Sequence, residues 1–477
     1  MFDGGIARTA WFLATALGVL AAIIAATAIA RAAAAKQSRT RADVLTALAA
    51  AEQELQNKPQ DSAARYQLAH LLYESGDFWR AADVVRPAAD AENATPQTML
   101  LAADLEYLLG HYAAAEKGYQ RALAVDALDR TSRTRANVGL GFVSYQTNRF
   151  DLFKELTFGP GVAFPGDKLL RTFEEQPYQI TWHNESHTAE VPFIATDPLP
   201  VMTVEYDGRA VQVLFDTGAD MCILDTELAR AWGVKEVSWT VGGFGGGKLE
   251  RLGYGKLPAL KLGDVTLENV PIWILPTQRF SAVWPDKKLS LGGIIGTALI
   301  RQFLATLDYR QGKLLLRERS PQARAALRQE LGSSVSAEVP FVLSSTHWMM
   351  ARGALNDRDG LTFFVDSGLA SEAGFSAPPQ TLGYVNIAEP KTQVQPNSVG
   401  GGGGAWASGF FPIESLGLGR LRQQQLQGEF GSRPASSYWQ SGFIQDGLIS
   451  HRFLREYASW SIDFDSMTYL FGAELPQ

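Results

Sequence analysis

A single cysteine, Cys222, stands among 477 residues, which excludes an internal disulfide and any thiolate metal cluster built by one chain. It leaves the redox compartment open, and its apolar neighbours suit core packing. Histidine is nearly as scarce. The six (His70, His111, His183, His187, His347, His451) include no HExxH, and the pair four apart, His183 and His187, brackets the loop-like Asn184-Glu185-Ser186. No metal site is expected. Basic charge is not in excess, with 43 Lys and Arg against 50 Asp and Glu and a net charge of −7, so nucleic acid is not an expected partner. No Ser-His-Asp spacing, nucleophile elbow or reactive-cysteine context is present. A near match to a phosphate loop, "VGGFGGGKLERLGYGKL" (Val241 to Leu257), fails because Leu249 stands where Ser or Thr is required and strand-like sequence follows instead of a helix. No cofactor is implied.

The chain is too long for one compact domain, and about three units are the starting expectation. With 19% charged and 10% aromatic residues it has ample material for cores and no disorder-like bias. Residues 9–30 carry no charge and are long enough to cross a bilayer as a helix. Two readings stand, a membrane anchor and a cleaved export signal ending near Ala28-Ile29-Ala30. Arg31, Lys36, Arg39 and Arg41 follow the run while Arg8 alone precedes it, which by the positive-inside rule would hold the body in the cytoplasm. A membrane-anchored or exported protein with an extracytoplasmic, periplasmic body is nevertheless the expectation.

Residues 41–156 read as helical, and part of this stretch repeats. Tyr73, Gly76, Phe78, Ala81 and Ala88 recur 34 residues later as Tyr107, Gly110, Tyr112, Ala115 and Ala122. A looser copy displaced by 38 runs through Gly141, Tyr145, Asn148, Phe150 and Phe153. The period and the Gly-x-aromatic-x-x-Ala core resemble tetratricopeptide (TPR) repeats. Such a module would offer a surface to substrate or a protein partner, and with so few units it should stack on its own first helix or on the next domain. A plain helical spacer is the alternative.

After about Gly159 the pattern becomes all-β, with Asp-Gly and Gly-rich turns, and residues 318–338 look like a connector holding a short helix. Two stretches within it match. "MTVEYDGRAVQVLFDTGAD" (Met202 to Asp220) and "WMMARGALNDRDGLTFFVDSGLA" (Trp348 to Ala370) each read as a hairpin whose second strand delivers an aspartate triplet, Asp216-Thr217-Gly218 and Asp366-Ser367-Gly368. Each is followed by an apolar motif, "GIIGTALIRQFLATLDY" from Gly293 and "GLISHRFLREYASWSIDF" from Gly447, beginning 77 and 81 residues after its aspartate. This is an internal duplication of about 150 residues.

Each copy resembles a retropepsin-type half, and the tandem is similar to a bilobal, pepsin-like aspartic peptidase. The fold class implied is multidomain, α plus all-β: a membrane segment (9–30), TPR-like helical repeats (41–156), and β-barrel-like lobes at 190–318 and 339–475. The resemblance implies that Asp216 and Asp366 share one proton and activate water to hydrolyse a peptide bond. Thr217, Gly218, Ser367 and Gly368 would support the catalytic loops. Gly-rich hairpins in both copies resemble flaps, which makes Gly243, Phe244, Gly245, Gly401 and Trp406 candidate contacts to a polypeptide substrate; the five consecutive glycines from Gly400 also suit a flexible linker. One departure is Ser450, which stands where the first copy has Gly296 and fits only if the backbone there avoids positive φ. With the atypical second flap it motivates one alternative, an inactive peptide-binding scaffold; a third reading makes each unit a half-site completed by a second chain. Acid-adapted members of the family commonly carry Ser or Thr after each triplet; here Ala219 and Leu369 stand there, which implies a dyad that holds its proton to higher pH.

Overall fold

Thr40 opens the first helix with a reciprocal cap: its hydroxyl accepts the Asp43 N–H while the Asp43 carboxylate accepts the Thr40 N–H. The computed structural model describes residues 39–476 apart from 127, 160–161, 163, 207, 244–248, 285–287, 372, 396–405, 432–437 and 440. Among the described residues no helix is long and apolar enough to cross a membrane, and the apolar run 9–30 lies outside them.

The N-terminal region is helical: α1 (Arg41–Asn57), α2 (Ser62–Ser75), α3 (Phe78–Asp90), α4 (Pro96–Leu108), α5 (Tyr112–Leu123) and α6 (Arg130–Gln146). Asp61, Thr95 and Asp129 cap α2, α4 and α6 by accepting backbone N–H groups of the first turn. The repeated positions fall at the joints. Gly76 and Gly110 take φ of +85° and +79°, and Asn148 ends α6 at +59°, the left-handed conformation that glycine and asparagine adopt most readily at helix ends. Ala81 and Ala115 are fully buried where consecutive helices meet, and Phe153 fills the corresponding place in the third copy.

A short helix α7 (Asp167–Leu170) leads into two β units of matching design. The first contains β1 (Gln179–Trp182), β2 (Thr188–Ala195), β3 (Val201–Tyr206), β4 (Arg209–Phe215), β5 (Cys222–Leu224), α8 (Thr226–Ala231), β6 (Glu236–Gly243), β7 (Leu249–Leu262), β8 (Val265–Ile274), β9 (Leu291–Ile295), α9 (Thr297–Ile300), β10 (Phe303–Asp308) and β11 (Lys313–Glu318). The connector α10 (Pro321–Leu331) follows. The second unit runs β12 (Ala337–Ser344), β13 (Trp348–Leu355), β14 (Arg358–Val365), β15 (Phe375–Ala377), α11 (Pro379–Tyr384), β16 (Gln393–Gln395), β17 (Trp406–Leu418), β18 (Leu421–Gly431), β19 (Gly447–Ile449), α12 (His451–Leu454), β20 (Ser459–Asp463) and β21 (Thr468–Phe471).

The pairings repeat between units. The β3–β4 and β13–β14 hairpins correspond, and β4 lies parallel to β9 as β14 does to β19. One antiparallel sheet joins the units in the order β2-β11-β10-β20-β21-β12, with Thr306 opposite Ser461 at the centre and their hydroxyls 2.8 Å apart.

The outer faces of the two units are covered differently. In the first, Leu214 on β4 and Ile294 on β9 pack under the chain's own segments, with Leu199, Leu275 and Trp284. In the second, the corresponding Phe364 and Leu448, with Val342 and Met350, pack instead against Leu68, Leu72, Phe78 and Leu105 of the helices. Apolar runs such as Leu361-Thr362-Phe363-Phe364-Val365 follow from this: Phe363 and Val365 face the barrel interior while Phe364 faces the helices. Charge ties the same joint. Arg41 at the head of α1 is 4% exposed and forms a two-pronged bridge to the fully buried Asp446, its Nε donating to Oδ1 at 3.0 Å.

Candidate active site

Parallel pairing of β4 with β9 and of β14 with β19 ends each second strand in mid-molecule, with its last residue held by the neighbour. The Asp216 N–H donates to Ile295 O and the Asp366 N–H to Ile449 O, both at 3.0 Å. The two loops that follow are locked to each other by a reciprocal lattice. Thr217 Oγ1 donates to Val365 O and accepts the Ser367 N–H; Ser367 Oγ donates to Phe215 O and accepts the Thr217 N–H, at 3.0–3.2 Å. Both hydroxyl residues are fully buried, and four hydrogen bonds that need both partners make the loops a single piece.

Gly218 and Gly368 follow. A Cβ on Gly218 would stand 2.5 Å from Asp366 Oδ1, and one on Gly368 would stand 2.1 Å from Asp216 Cγ. Only glycine admits the opposite carboxyl group at that range. Each glycine N–H donates to its own triplet's carboxylate, Gly218 to Asp216 at 2.7 Å and Gly368 to Asp366 at 2.9 Å. Burial, and then the charge of the neighbouring Asp366, push the Asp216 carboxyl well above its ordinary value of 3.8. Two carboxylates this close cannot both ionise readily.

Ser450 takes φ of −88°, close to the −94° of Gly296, so its backbone needs no glycine. Space is the difference. A Cβ on Gly296 would meet Asp220 O and Met221 O at 2.5 Å, whereas the second loop is longer: ten residues separate Asp366 from Ser376 where seven separate Asp216 from Ile223. The hydroxyl of Ser450 uses that space to donate to Ala373 O at 2.7 Å.

The hairpins β6–β7 and β16–β17 occupy corresponding positions. Gly243 ends β6 and Trp406 begins β17, while Phe244, Gly245 and Gly401 lie outside the described residues. On the described parts of these hairpins, Trp239, Val241, Val394 and Phe410 are exposed apolar residues.

A second set of polar residues near Asp216 carries no motif that could have flagged it. Asp220 is 2% exposed. Its Oδ1 accepts from the Tyr145 hydroxyl of α6 at 2.9 Å, and Thr346 of the second unit lies near enough to favour its charged form. Burial raises its carboxyl to about 6, against the pull of these donors and of Arg301. Arg301 donates to Tyr145 O, Asn148 and Gln146, and its guanidinium lies 4.9 Å from the Tyr145 ring centre.

A family model described as aspartyl protease matches residues 202–299, from β3 into α9. No curated protein matches the chain. Among solved structures, a retropepsin-like aspartic protease from Rickettsia conorii is 14% identical, with 30% of this chain and 95% of that one covered at a TM-score of 0.20. The structure of edgp is 8% identical, with 62% and 96% covered at a TM-score of 0.36. The match over residues 202–299 supports an aspartic peptidase.

Proposed function

We propose that the chain is an aspartic endopeptidase of two lobes, each lobe giving one aspartate to a dyad formed by Asp216 and Asp366. The observation that carries this reading is the reciprocal Thr217 and Ser367 lattice, which brings two carboxyl groups of one chain together; such a pair, with the Asp216 carboxyl pushed up, suits one shared proton. In that state the ionised carboxylate takes a proton from water as the oxygen attacks the peptide carbonyl, and the protonated partner donates to the carbonyl oxygen. The tetrahedral diol then collapses, with a proton passing to the leaving nitrogen. Thr217, Gly218, Ser367 and Gly368 hold the loops. The two hairpins act as flaps over an extended polypeptide, and their exposed Trp239, Val241, Val394 and Phe410 favour apolar side chains in it. The helices are read as TPR-like repeats, and residues 9–30 as the membrane-targeting segment.

The test is cleavage of an unstructured peptide library by the purified chain, followed by mass spectrometry across a dilution series. Specific activity independent of protein concentration supports a dyad within one chain. Activity that falls on dilution would point to half-sites completed by a partner, and no cleavage by folded protein would point to a scaffold.

The pH dependence follows from the raised Asp216 carboxyl. Ala219 and Leu369 offer no hydroxyl to the ionised dyad, so the shared proton is retained into the mildly acidic to near-neutral range, and the optimum is expected there. Ala219→Ser adds a donor that stabilises the charged form and lowers the pKa. The basic limb of the kcat/KM profile should therefore move to lower pH. A wild-type optimum in strong acid, or an unmoved limb in an active variant, contradicts this account.

A further inference from the structure

Six residues past the end of β4 the chain has already entered the barrel again, so the loop bearing Asp216 is short. The Ala219 and Asp220 carbonyls accept the Thr297 and Ala298 N–H groups at 2.9 Å, which is support from within the same unit. The Asp220 carboxyl is held by the Tyr145 hydroxyl, which comes from α6 outside that unit, with Thr346 of the turn between β12 and β13 and Arg301 of the first unit nearby.

Tyr145 is itself fixed on all sides. It is fully buried, stacks on Phe150 at 5.7 Å and 11°, and has its carbonyl held by Arg301. Gln146 beside it donates to Ser345 O and Thr346 O, so α6 grips the second unit at the turn between β12 and β13. The helices meet the other catalytic loop as well, because Leu369, directly after Asp366-Ser367-Gly368, packs in the cluster they form with the second unit. The helical region thus touches the residues just beyond both aspartates.

We propose that Tyr145 is a positioning residue for Asp216: through its hydrogen bond to Asp220, α6 sets the placement of the catalytic loop, so that rearrangement of the helices changes turnover. This rests on the peptidase reading above. The Tyr145 hydroxyl bonds Asp220 and neither dyad carboxyl, so its effect runs through Asp220. A protein bound to the helices would modulate catalysis by this route without approaching the cleft, since coupling needs only a packed element shared by both sites.

The test is Tyr145→Phe in the full chain, which keeps the ring and its stacking and removes the hydroxyl. The expected result is a fall in kcat of about 2- to 30-fold, the range of modulation by residues that contact no ligand, with KM unchanged. Asp220→Ala removes the same bond from the other side and should give the same split. In the Asp220→Ala background Tyr145→Phe should have no further effect on kcat. An unchanged kcat in either folded single variant overturns the proposal, and so does an equal kcat loss from Tyr145→Phe with and without Asp220. Should one variant fail to fold, the other carries the test, because each alone predicts loss of kcat at constant KM. A wild-type chain with no peptidase activity would sink the functional reading instead, so the two failures are distinguishable.

Discussion

Replacing Asp216 by asparagine is expected to lower kcat/KM by about 10³-fold or more, and Asp366→Asn to do the same, because in the proposed dyad each carboxyl group is half of one proton-sharing unit and general acid–base assistance of this kind is worth about 10²- to 10⁴-fold. The double variant should be no slower than either single one. Thermal stability should move the other way. The Asp216 carboxyl sits above its ordinary value of 3.8 in the folded chain because of burial and the Asp366 charge. A carboxyl raised on folding stabilises the fold at low pH and loses that contribution as pH climbs through the folded value. At neutral pH the wild type therefore bears the cost of like charges that asparagine lacks, and Asp216→Asn should melt at the same or a higher temperature. Calorimetry beside a peptide assay checks both halves. A variant that is inactive because it has unfolded, or an Asp366→Asn monomer with near-normal turnover, would refute the assignment.

Loss of the helical region should be the other large effect. A chain lacking residues 41–156 uncovers Val342, Met350, Phe364 and Leu448 together, each worth about 1.5–3 kcal/mol when fully buried. It also strips Asp446 of Arg41 and the core of Tyr145, Phe150 and Phe153. Such a chain should be insoluble or bind hydrophobic dyes, and should cleave even short peptides poorly. A soluble truncated chain with full activity on a short peptide would show the helices to be a separable attachment. Arg41→Ala probes the joint alone. It leaves a buried carboxylate bonded to the Thr362 N–H but without its cation, a loss of about 3–5 kcal/mol. Arg41→Met combined with Asp446→Leu should recover much of it, which denaturant titration can measure.

The sequence made some of this legible and not the rest. The aspartate triplets could be read as a pair because hairpin pattern, triplet and downstream apolar motif recur in one order, and local pattern is what a sequence records best. The helical joints were legible because left-handed turns favour Gly76, Gly110 and Asn148 on a near-constant interval. The cover of the second unit was not. Phe364 and Leu448 belong to runs apolar on both faces, and such runs look alike whichever layer buries them. The Arg41 and Asp446 pair escaped notice because 405 residues separate its members and neither belongs to a motif. Tyr145 was visible only as a repeated aromatic; nothing in its neighbours pointed to Asp220. Ser450 raised a doubt that loop length resolves, and that length becomes meaningful only once the strands on either side are paired.

The difference in how the two units are covered bears on synthesis from the ribosome. The first unit brings its own outer layer, which is in hand once β11 has emerged. The helices emerge earlier still, yet the faces they cover on β14 and β19 are translated only after the whole first unit. Arg41 must wait for Asp446, 405 residues further on. Asp366 arrives about 150 residues after Asp216, so a nascent chain holds a lone aspartate for much of its elongation. Pairing of Asp366 with Asp216 and closure of the helical cover consequently wait for the same second unit.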